Sequence, residues 1–489
     1  MANPIRKLAG QTAIYGLPSI VGRLLNYLLV PLHTYYFAKT ADYGVISELY
    51  AWVAFLIVLL TFGMETAFFR FLQNEGDKEK AYNTAFWSVV GVNIIFYATL
   101  LFFNNDIANA LLFEGHNEYV VLLGSIVMID AITALPLAKL RAEEKALRFA
   151  SIQMLSIGLN IGLNLIAMIF FFSAERPEEG ILFILLANLV ASLAKPILLY
   201  DHIFRVRFIK DWALYRRMWI YAVPLVIAGF AGIINETFDR ILLKHLLYDP
   251  SIPESLTYAE SQVGIYSACY KLAMLVTIIL QAYRYAAEPF FFRQLQNQDR
   301  NTIYVKVMNL FVAMVCAVFL MVSLNLDIFK HFIQKEAYWE GLKVVPILLI
   351  ANMFLGVYYN LSIWYKLSNK TMAGAWITLL GAVITIGINF LLIPRYGYMA
   401  SAWATFFCYG TMMIVSYKWG QKVYFIPYAT KKLIAYFVIT LLLYSINLFI
   451  LWVSSNKAFN YLFASILLLG FIGFVIKIEK KELKSIFNN

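Results

Sequence analysis

Long apolar runs set the pattern of this chain. Fourteen of them cover roughly residues 11–37, 44–71, 83–103, 118–139, 149–173, 181–200, 218–247, 262–290, 302–327, 342–362, 372–393, 400–418, 431–453 and 461–477. A helix needs about 20 mostly apolar residues to cross about 30 Å of hydrocarbon. The runs meet that length, and polar or charged stretches separate them. They predict an all-α polytopic membrane protein with about 14 transmembrane helices. Several runs extend well beyond 20 residues, which predicts tilt or extension past the bilayer. Gly16, Pro18, Gly22 and Arg23 interrupt the first run, and no small-residue cleavage site follows it. It therefore reads as a retained first helix.

Composition agrees with this pattern. Of 489 residues, 61% are apolar or aromatic and 14% charged, with mean hydropathy +0.70. Soluble domains run at about 45–50% apolar and about 25% charged. A cytosolic enzyme, a disordered chain and a nucleic-acid-binding module are all excluded. Charge then sets the orientation. With the N-terminus inside, most of the 40 Lys and Arg fall on the inner side, among them Arg205, Arg207, Lys210, Arg216 and Arg217. Lys39, Arg176, Lys330, Lys335, Arg395 and Lys457 fall outside. This asymmetry predicts an N-in/C-in topology. The net charge of +11 is explained by orientation and by attraction to anionic membrane lipids, without nucleic acid.

Chemistry-bearing motifs are sparse. Cys269, Cys316 and Cys408 lie far apart in apolar runs, and the five histidines lack ligand spacing. No metal site is therefore indicated. Neither a GxxxxGK[ST] nor a GxGxxG loop is present, so no nucleotide or other cofactor is expected. The outer loops are short and acidic (Glu175, Glu178, Glu179, Asp249, Glu254, Glu260). None has room for a catalytic domain, so an enzyme is not expected.

The chain repeats itself. Ile14-Tyr15-Gly16-Leu17-Pro18 matches Ile220-Tyr221-Ala222-Val223-Pro224, and Gly44-x-x-Ser47-x-x-Tyr50 matches Gly264-x-x-Ser267-x-x-Tyr270. Glu65-x-x-Phe68-Phe69-Arg70-x-Leu72-Gln73 matches Glu288-x-x-Phe291-Phe292-Arg293-x-Leu295-Gln296, and Ile161-Gly162-Leu163-Asn164 matches Ile386-Gly387-Ile388-Asn389. Four matches in order predict a duplicated six-helix unit with a pseudo-twofold axis along the membrane normal. The expected layout is an N-terminal lobe (1–217, helices 1–6), a C-terminal lobe (218–430, helices 7–12), then helices 13–14 and a tail (431–489). Transporters built from such halves bind substrate between them and rock to alternate access.

Several segments carry a resemblance. They are Tyr15-Gly16 through Arg23-Leu24 to Pro31-Leu32, Asp42-Tyr43-Gly44, Asp239-Arg240 and Gly264-x-Tyr266-Ser267-x-x-Tyr270-Lys271-Leu272. With the fourteen-helix count, the chain resembles polysaccharide biosynthesis membrane proteins. These are the oligosaccharide flippases of the multidrug/oligosaccharidyl-lipid/polysaccharide exporter superfamily. The resemblance covers nearly the full length. It implies a bacterial cytoplasmic (inner) membrane location and translocation of a polyprenyl-pyrophosphate-linked oligosaccharide to the outer leaflet. It also implies a cationic cavity between two lobes and coupling to an ion gradient or membrane potential. A polysaccharide polymerase or glycosyltransferases are candidate partners.

Ionisable groups deep in the runs cost at least about 2.5–3.5 kcal/mol each and need a reason. Arg23 lies near mid-run with Asn26 and Tyr27 on the same face. It is read either as a pyrophosphate ligand or as a structural ion pair with Asp130 or Glu65. Lys271 is the better second cavity cation. Arg284, about 220° away on the same helix, has Glu288 at i+4 as a local neutraliser. Glu65, Asp130 and Glu288 are coupling or gating candidates. Glu236 and Arg240 read as an i,i+4 pair with Asp239 beside them near the outer end, and the three are further coupling or gating candidates, as an outer gate or lobe contact rather than as direct substrate ligands. Arg70, Lys139, Lys195, Lys244 and Arg293 lie at helix ends and are expected to snorkel. Two other functions compete: a multidrug or organic cation exporter of the same fold, and a membrane glycosyltransferase or polymerase. The midplane cations disfavour the first and the short outer loops the second.

Overall fold

The computed structural model describes residues 4–74, 78–208, 211–293, 299–368 and 370–480, and no strand occurs among them. The helices follow the apolar runs closely. In the first part of the chain they are α1 (Pro4–Tyr36), α2 (Thr40–Thr61), α3 (Met64–Asn74), α4 (Lys78–Phe102), α5 (Asn104–Ala110), α6 (Asn117–Ala142), α7 (Ala146–Phe170), α8 (Pro177–Leu198) and α9 (Tyr200–Ile203). Then come α10 (Trp212–Leu247), α11 (Ser255–Arg293), α12 (Arg300–Leu324), α13 (Leu326–Phe329), α14 (Val345–Leu361), α15 (Ile363–Leu367), α16 (Thr371–Tyr396), α17 (Tyr398–Val423), α18 (Thr430–Val453) and α19 (Lys457–Ile478).

Among the described residues, thirteen helical stretches are long and apolar enough to cross a membrane. The protein is a multi-pass membrane protein. With 33 residues, α1 has the length to be the expected fourteenth.

Local chemistry sets several ends. The Asp211 side chain accepts from the Leu214 amide at 2.9 Å and opens α10 as an N-cap. Asn456 does the same for α19 through Phe459, at 3.2 Å. Phe62 and Gly63 have positive φ (30° and 72°) and break the second run into α2 and α3. A 3-10 segment, Glu336–Val344, precedes α14. Ser362 separates α14 from α15.

The chain divides into two compact units, residues 1–267 with 389–398, and residues 268–388 with 399–489. The first unit thus joins α10 and the opening turns of α11 to the first six runs. Within it, α7 packs on α1 and α8, α6 on α4 and α8, and α10 on α2 and α3. Phe68, Tyr82, Phe86, Leu135 and Met218 share one of its cores. In the second unit, α12 packs against α14, α18 and α19.

The repeated glycines meet inside the first unit. A Cβ on Gly44 would lie 1.9 Å from the Glu260 carbonyl oxygen, and one on Gly264 would lie 1.8 Å from that of Thr40. The contact is reciprocal, with each glycine set against the residue four positions before the other. Thr40 Oγ1 and Ser261 Oγ add a 2.5 Å hydrogen bond across it. Only glycine lets two helix backbones approach this closely.

At one end of α8, Arg148 of α7 grips Asp201 in a two-point contact. Nη1 lies 2.7 Å from Oδ2, and Nη2 lies 2.6 Å from Oδ1. Nη2 also donates to the Leu198 carbonyl at 2.9 Å. The Arg148 hydrogen bonds hold the Asp201 carboxyl well below the usual carboxylate range.

Two predictions follow from this packing. Gly44→Ala should lower thermal stability by about 1–3 kcal/mol, the usual cost of overpacking. Gly162→Ala, which meets nothing within 4 Å, should not. Equal melting temperatures for the two variants in detergent would contradict the crossing. For Asp201, a depressed folded pKa gives stability that is present above the unfolded value of about 3.9. It is lost as pH falls through that value and below. Asp201→Asn should therefore melt lower than the native protein at pH 7, and the gap should narrow as pH approaches 3.

Candidate functional site

Arg23 lies near the middle of α1, with its side chain 44% exposed. Asn26 is exposed one turn on, while Tyr27 is buried. The nearest described counter-charge is Glu236 of α10, 3.9 Å from Arg23 Nη1 and 49% exposed. The expected alternatives for Arg23 are thus corrected, because both carboxylates are taken. Asp130 of α6 holds Lys195 of α8 at 2.8 Å. Glu65 of α3 pairs with Arg141, whose guanidinium lies over the Phe69 and Phe149 rings.

The expected Glu236–Arg240 ion pair does not form. Arg240 Nη1 donates instead to the Glu236 backbone carbonyl at 2.9 Å and to Asp239 Oδ1 at 3.0 Å. A neighbouring carboxylate and a backbone acceptor together satisfy the guanidinium, which leaves the Glu236 carboxylate turned toward Arg23. Tyr266 of α11 donates its hydroxyl to Asp239 Oδ2 at 2.6 Å, and Arg240 lies over the Tyr266 ring. Asp239, Arg240 and Tyr266 are all buried. They form a polar knot tying α10 to α11.

Lys244, expected to snorkel, is completely buried. Its Nζ lies 2.9 Å from Glu48 Oε2 of α2 and 3.3 Å from Glu260 Oε1 of α11. It donates to the carbonyls of Leu111 and Leu112 at 3.3 and 3.1 Å and sits 3.8 Å over the Phe113 ring. Trp52 donates to the second Glu48 oxygen at 3.3 Å. Glu260, read from sequence as an outer-loop acid, is on α11 and mostly buried. Snorkelling needs open water beside the helix end. Here the turn after α5 closes over the ammonium and supplies its last acceptors. Sequence reasoning missed this cluster because its charges come from three separate helices. A signal was present in Glu48, an acid set within the second apolar run.

Other end lysines also find partners. Lys139 lies 3.4 Å from Glu79 and over the Tyr82 ring, while Arg70 is exposed as expected. Lys271 is half-buried on α11 and belongs to the second unit, whereas Arg23 belongs to the first. Arg284, farther along α11, stacks over the Tyr359 ring at 4.1 Å. The side chains of Glu288 and Arg293 lie outside the described residues.

These geometries sort the charges by how firmly they are held. Asp130, Glu65, Asp239 and Lys244 sit in short ion pairs that are half-buried or buried. Arg23 and Glu236 form a long, open pair, and exposed pairs are worth only about 0–1 kcal/mol. The Arg23–Glu236 pair is therefore held weakly. By contrast, removing Lys244 leaves two carboxylates buried together. Breaking a buried pair costs about 3–5 kcal/mol. Lys244→Met should lower the melting temperature sharply, and Glu48→Gln added to it should recover part of the loss. A Lys244→Met protein as stable as the native one would contradict this assignment.

The comparisons with known proteins agree with this architecture. The chain aligns with a structure described as "Lipid II flippase MurJ, inward closed conformation". That match has TM-score 0.68 and 13% identity and covers 95% of this chain and 98% of that one. It also aligns with an inward-facing multidrug resistance MATE family transporter of the MOP superfamily (TM-score 0.60, 14% identity, 84% and 94% covered). The outward-facing conformation of a MATE family transporter gives TM-score 0.58, 16% identity, and 85% and 95% coverage. At these identities the likeness shows the fold. No curated protein sequence matches. Residues 8–295, more than half of the chain, match the family described as "Polysaccharide biosynthesis protein", and the chain belongs to that family.

Proposed function

We propose that this protein moves a polyprenyl-pyrophosphate-linked oligosaccharide from the inner to the outer leaflet of a bacterial cytoplasmic membrane by alternating access. The N-in/C-in orientation read from charge and the two six-helix halves read from the repeat belong to this reading. One observation carries it above the others. Arg23, near the middle of α1, is open and only loosely paired, and its guanidinium keeps its charge and can fork onto a phosphate. A pyrophosphate leaving the interface loses hydration that fixed positive charge must replace. Arg23 supplies that charge and Asn26 a hydrogen bond beside it. Lys271 is the second cation, contributed by the other half of the repeat.

Glu236 then acquires a coupling role. When phosphate takes Arg23, the freed carboxylate recruits a proton or cation, so substrate and coupling ion alternate on one pair. Glu65, Asp130, Asp239 and Arg240 serve the structure of the first unit rather than direct contact with substrate. The family and the MurJ fold likeness support a lipid-linked substrate. The MATE likeness keeps organic cation export as the competing reading.

Purified protein in proteoliposomes decides between them. Arg23→Ala should reduce appearance of the lipid-linked oligosaccharide in the outer leaflet at least tenfold while the protein remains folded. Arg23→Lys should restore part of the rate, because an ammonium makes no bidentate contact. Glu236→Gln should keep lipid binding but lose dependence on an imposed ion gradient. Full transport by Arg23→Ala would refute the assignment. Transport of a lipophilic cation dye without the lipid would favour the exporter.

A further inference from the structure

A separate pocket lies wholly inside the second unit. The C-terminal half of α11 contributes Tyr283, Arg284 and Phe291, and the α14–α15 pair contributes Tyr359, Ser362 and Lys366. The cleft is shallow and partly open, with about 20 Å³ of water-accessible space within it. On the second wall, Tyr359, Ser362 and Lys366 recur at helical spacing along one face, even though the helix is interrupted at Ser362. The wall is held from within. Tyr283 donates its hydroxyl to Asn360 Oδ1 at 2.5 Å, Asn360 Nδ2 donates to the Gly356 carbonyl at 3.2 Å, and Ser362 donates to the Tyr359 carbonyl at 2.6 Å.

Two features give the pocket its chemistry. The first is charge. The Arg284 guanidinium lies 4.1 Å over the Tyr359 ring, and no carboxylate partner occurs among the described residues. Ring stacking orients a guanidinium while leaving its edge N–H donors available. Lys366 places a second cation on the same cleft. The second feature is depth. The apolar run of α11 ends near residue 290 and α15 ends at Leu367, so the lining residues cluster where both apolar stretches give way to charged chain. The pocket therefore lies level with the headgroups, where the abundant anions are phosphates. Two cations match a group carrying two or more negative charges.

We propose that this pocket is a docking subsite for the phosphate portion of a lipid headgroup at the membrane interface. The phosphate chemistry stands on the pocket itself. The identity of the lipid as a polyprenyl pyrophosphate rests on the proposed function. Docking at Arg284 and Lys366 gathers substrate at the membrane surface and leaves the translocation step to Arg23.

The test uses the full chain in phosphatidylcholine nanodiscs. Probes are a radiolabelled short-chain polyprenyl pyrophosphate, inorganic pyrophosphate, and phosphatidylglycerol titrated into the disc. Combined Arg284→Gln and Lys366→Gln should weaken polyprenyl pyrophosphate binding at least tenfold. In proteoliposomes the same variant should raise the half-saturating substrate concentration, with the maximal rate held within twofold. Arg23→Ala should show the opposite split. Arg284→Lys and Lys366→Gln singly, each expected to weaken binding about threefold, carry the test should the double variant misfold. Binding by the folded variants within 1.5-fold of native would overturn the subsite. If transport of the lipid-linked glycan is native at the same time, the flippase reading survives that failure. If inorganic pyrophosphate or phosphatidylglycerol binds as tightly as the polyprenyl probe and the same substitutions abolish it, the phosphate site stands. The lipid assignment then falls.

Discussion

A lysine fully removed from water constrains the first unit more than any other group. An isolated ammonium in a medium of low dielectric is costly enough that it neutralises or finds counter-charge. Lys244 meets this requirement by drawing a carboxylate from α2 and another from α11, with two carbonyls from the turn after α5. Four chain segments are thereby fixed to one point. The glycine crossing of α2 and α11 depends on the same geometry. Glu260 contributes its side chain to Lys244 and its backbone oxygen to the contact with Gly44. If α11 moved away from α2, the close backbone contact and half of the lysine's counter-charge would be lost together.

That coupling bears on how such a protein works. Helices that change partners during transport need contacts that form and break as sets, because packed interfaces are bistable rather than continuously deformable. The Lys244 cluster and the glycine crossing are joined in this way through Glu260. The Arg23–Glu236 pair is of another kind: long, open, and cheap to exchange. Firm pairs organise the helices, and a weak pair leaves charge available for a ligand. The proposed transport cycle uses the second and depends on the first.

The positions of the helices were legible in the sequence because each apolar run must satisfy its own backbone in lipid. All fourteen runs correspond to helices, including the first, which falls within α1. What escaped was whatever depends on a partner distant in sequence. Asp130 and Glu65 read as partners for Arg23, but Lys195 and Arg141 hold them. The i,i+4 rule joined Glu236 to Arg240, whereas the guanidinium took the adjacent Asp239 and a backbone oxygen. The Gly44 and Gly264 motifs were visible as a repeat. That the two copies touch each other is a fact of tertiary structure. The Phe62–Gly63 and Ser362 breaks were also missed, because neither interruption is marked by proline.

The repeat and the two units divide the molecule differently, and the difference is informative. Repeated motifs place α10 and α11 with the later half of the chain, yet α10 and the opening turns of α11 belong with the earlier one in space. Buried charge accounts for this. Lys244, Asp239, Arg240 and Glu260 lie on α10 and the start of α11, and their described partners include Glu48, the α5 turn, Tyr266 and one another. Farther along α11, Arg284 finds its ring on α14. A single 39-residue helix is thus held by ionic contacts at one end and by aromatic and cation–π contacts at the other.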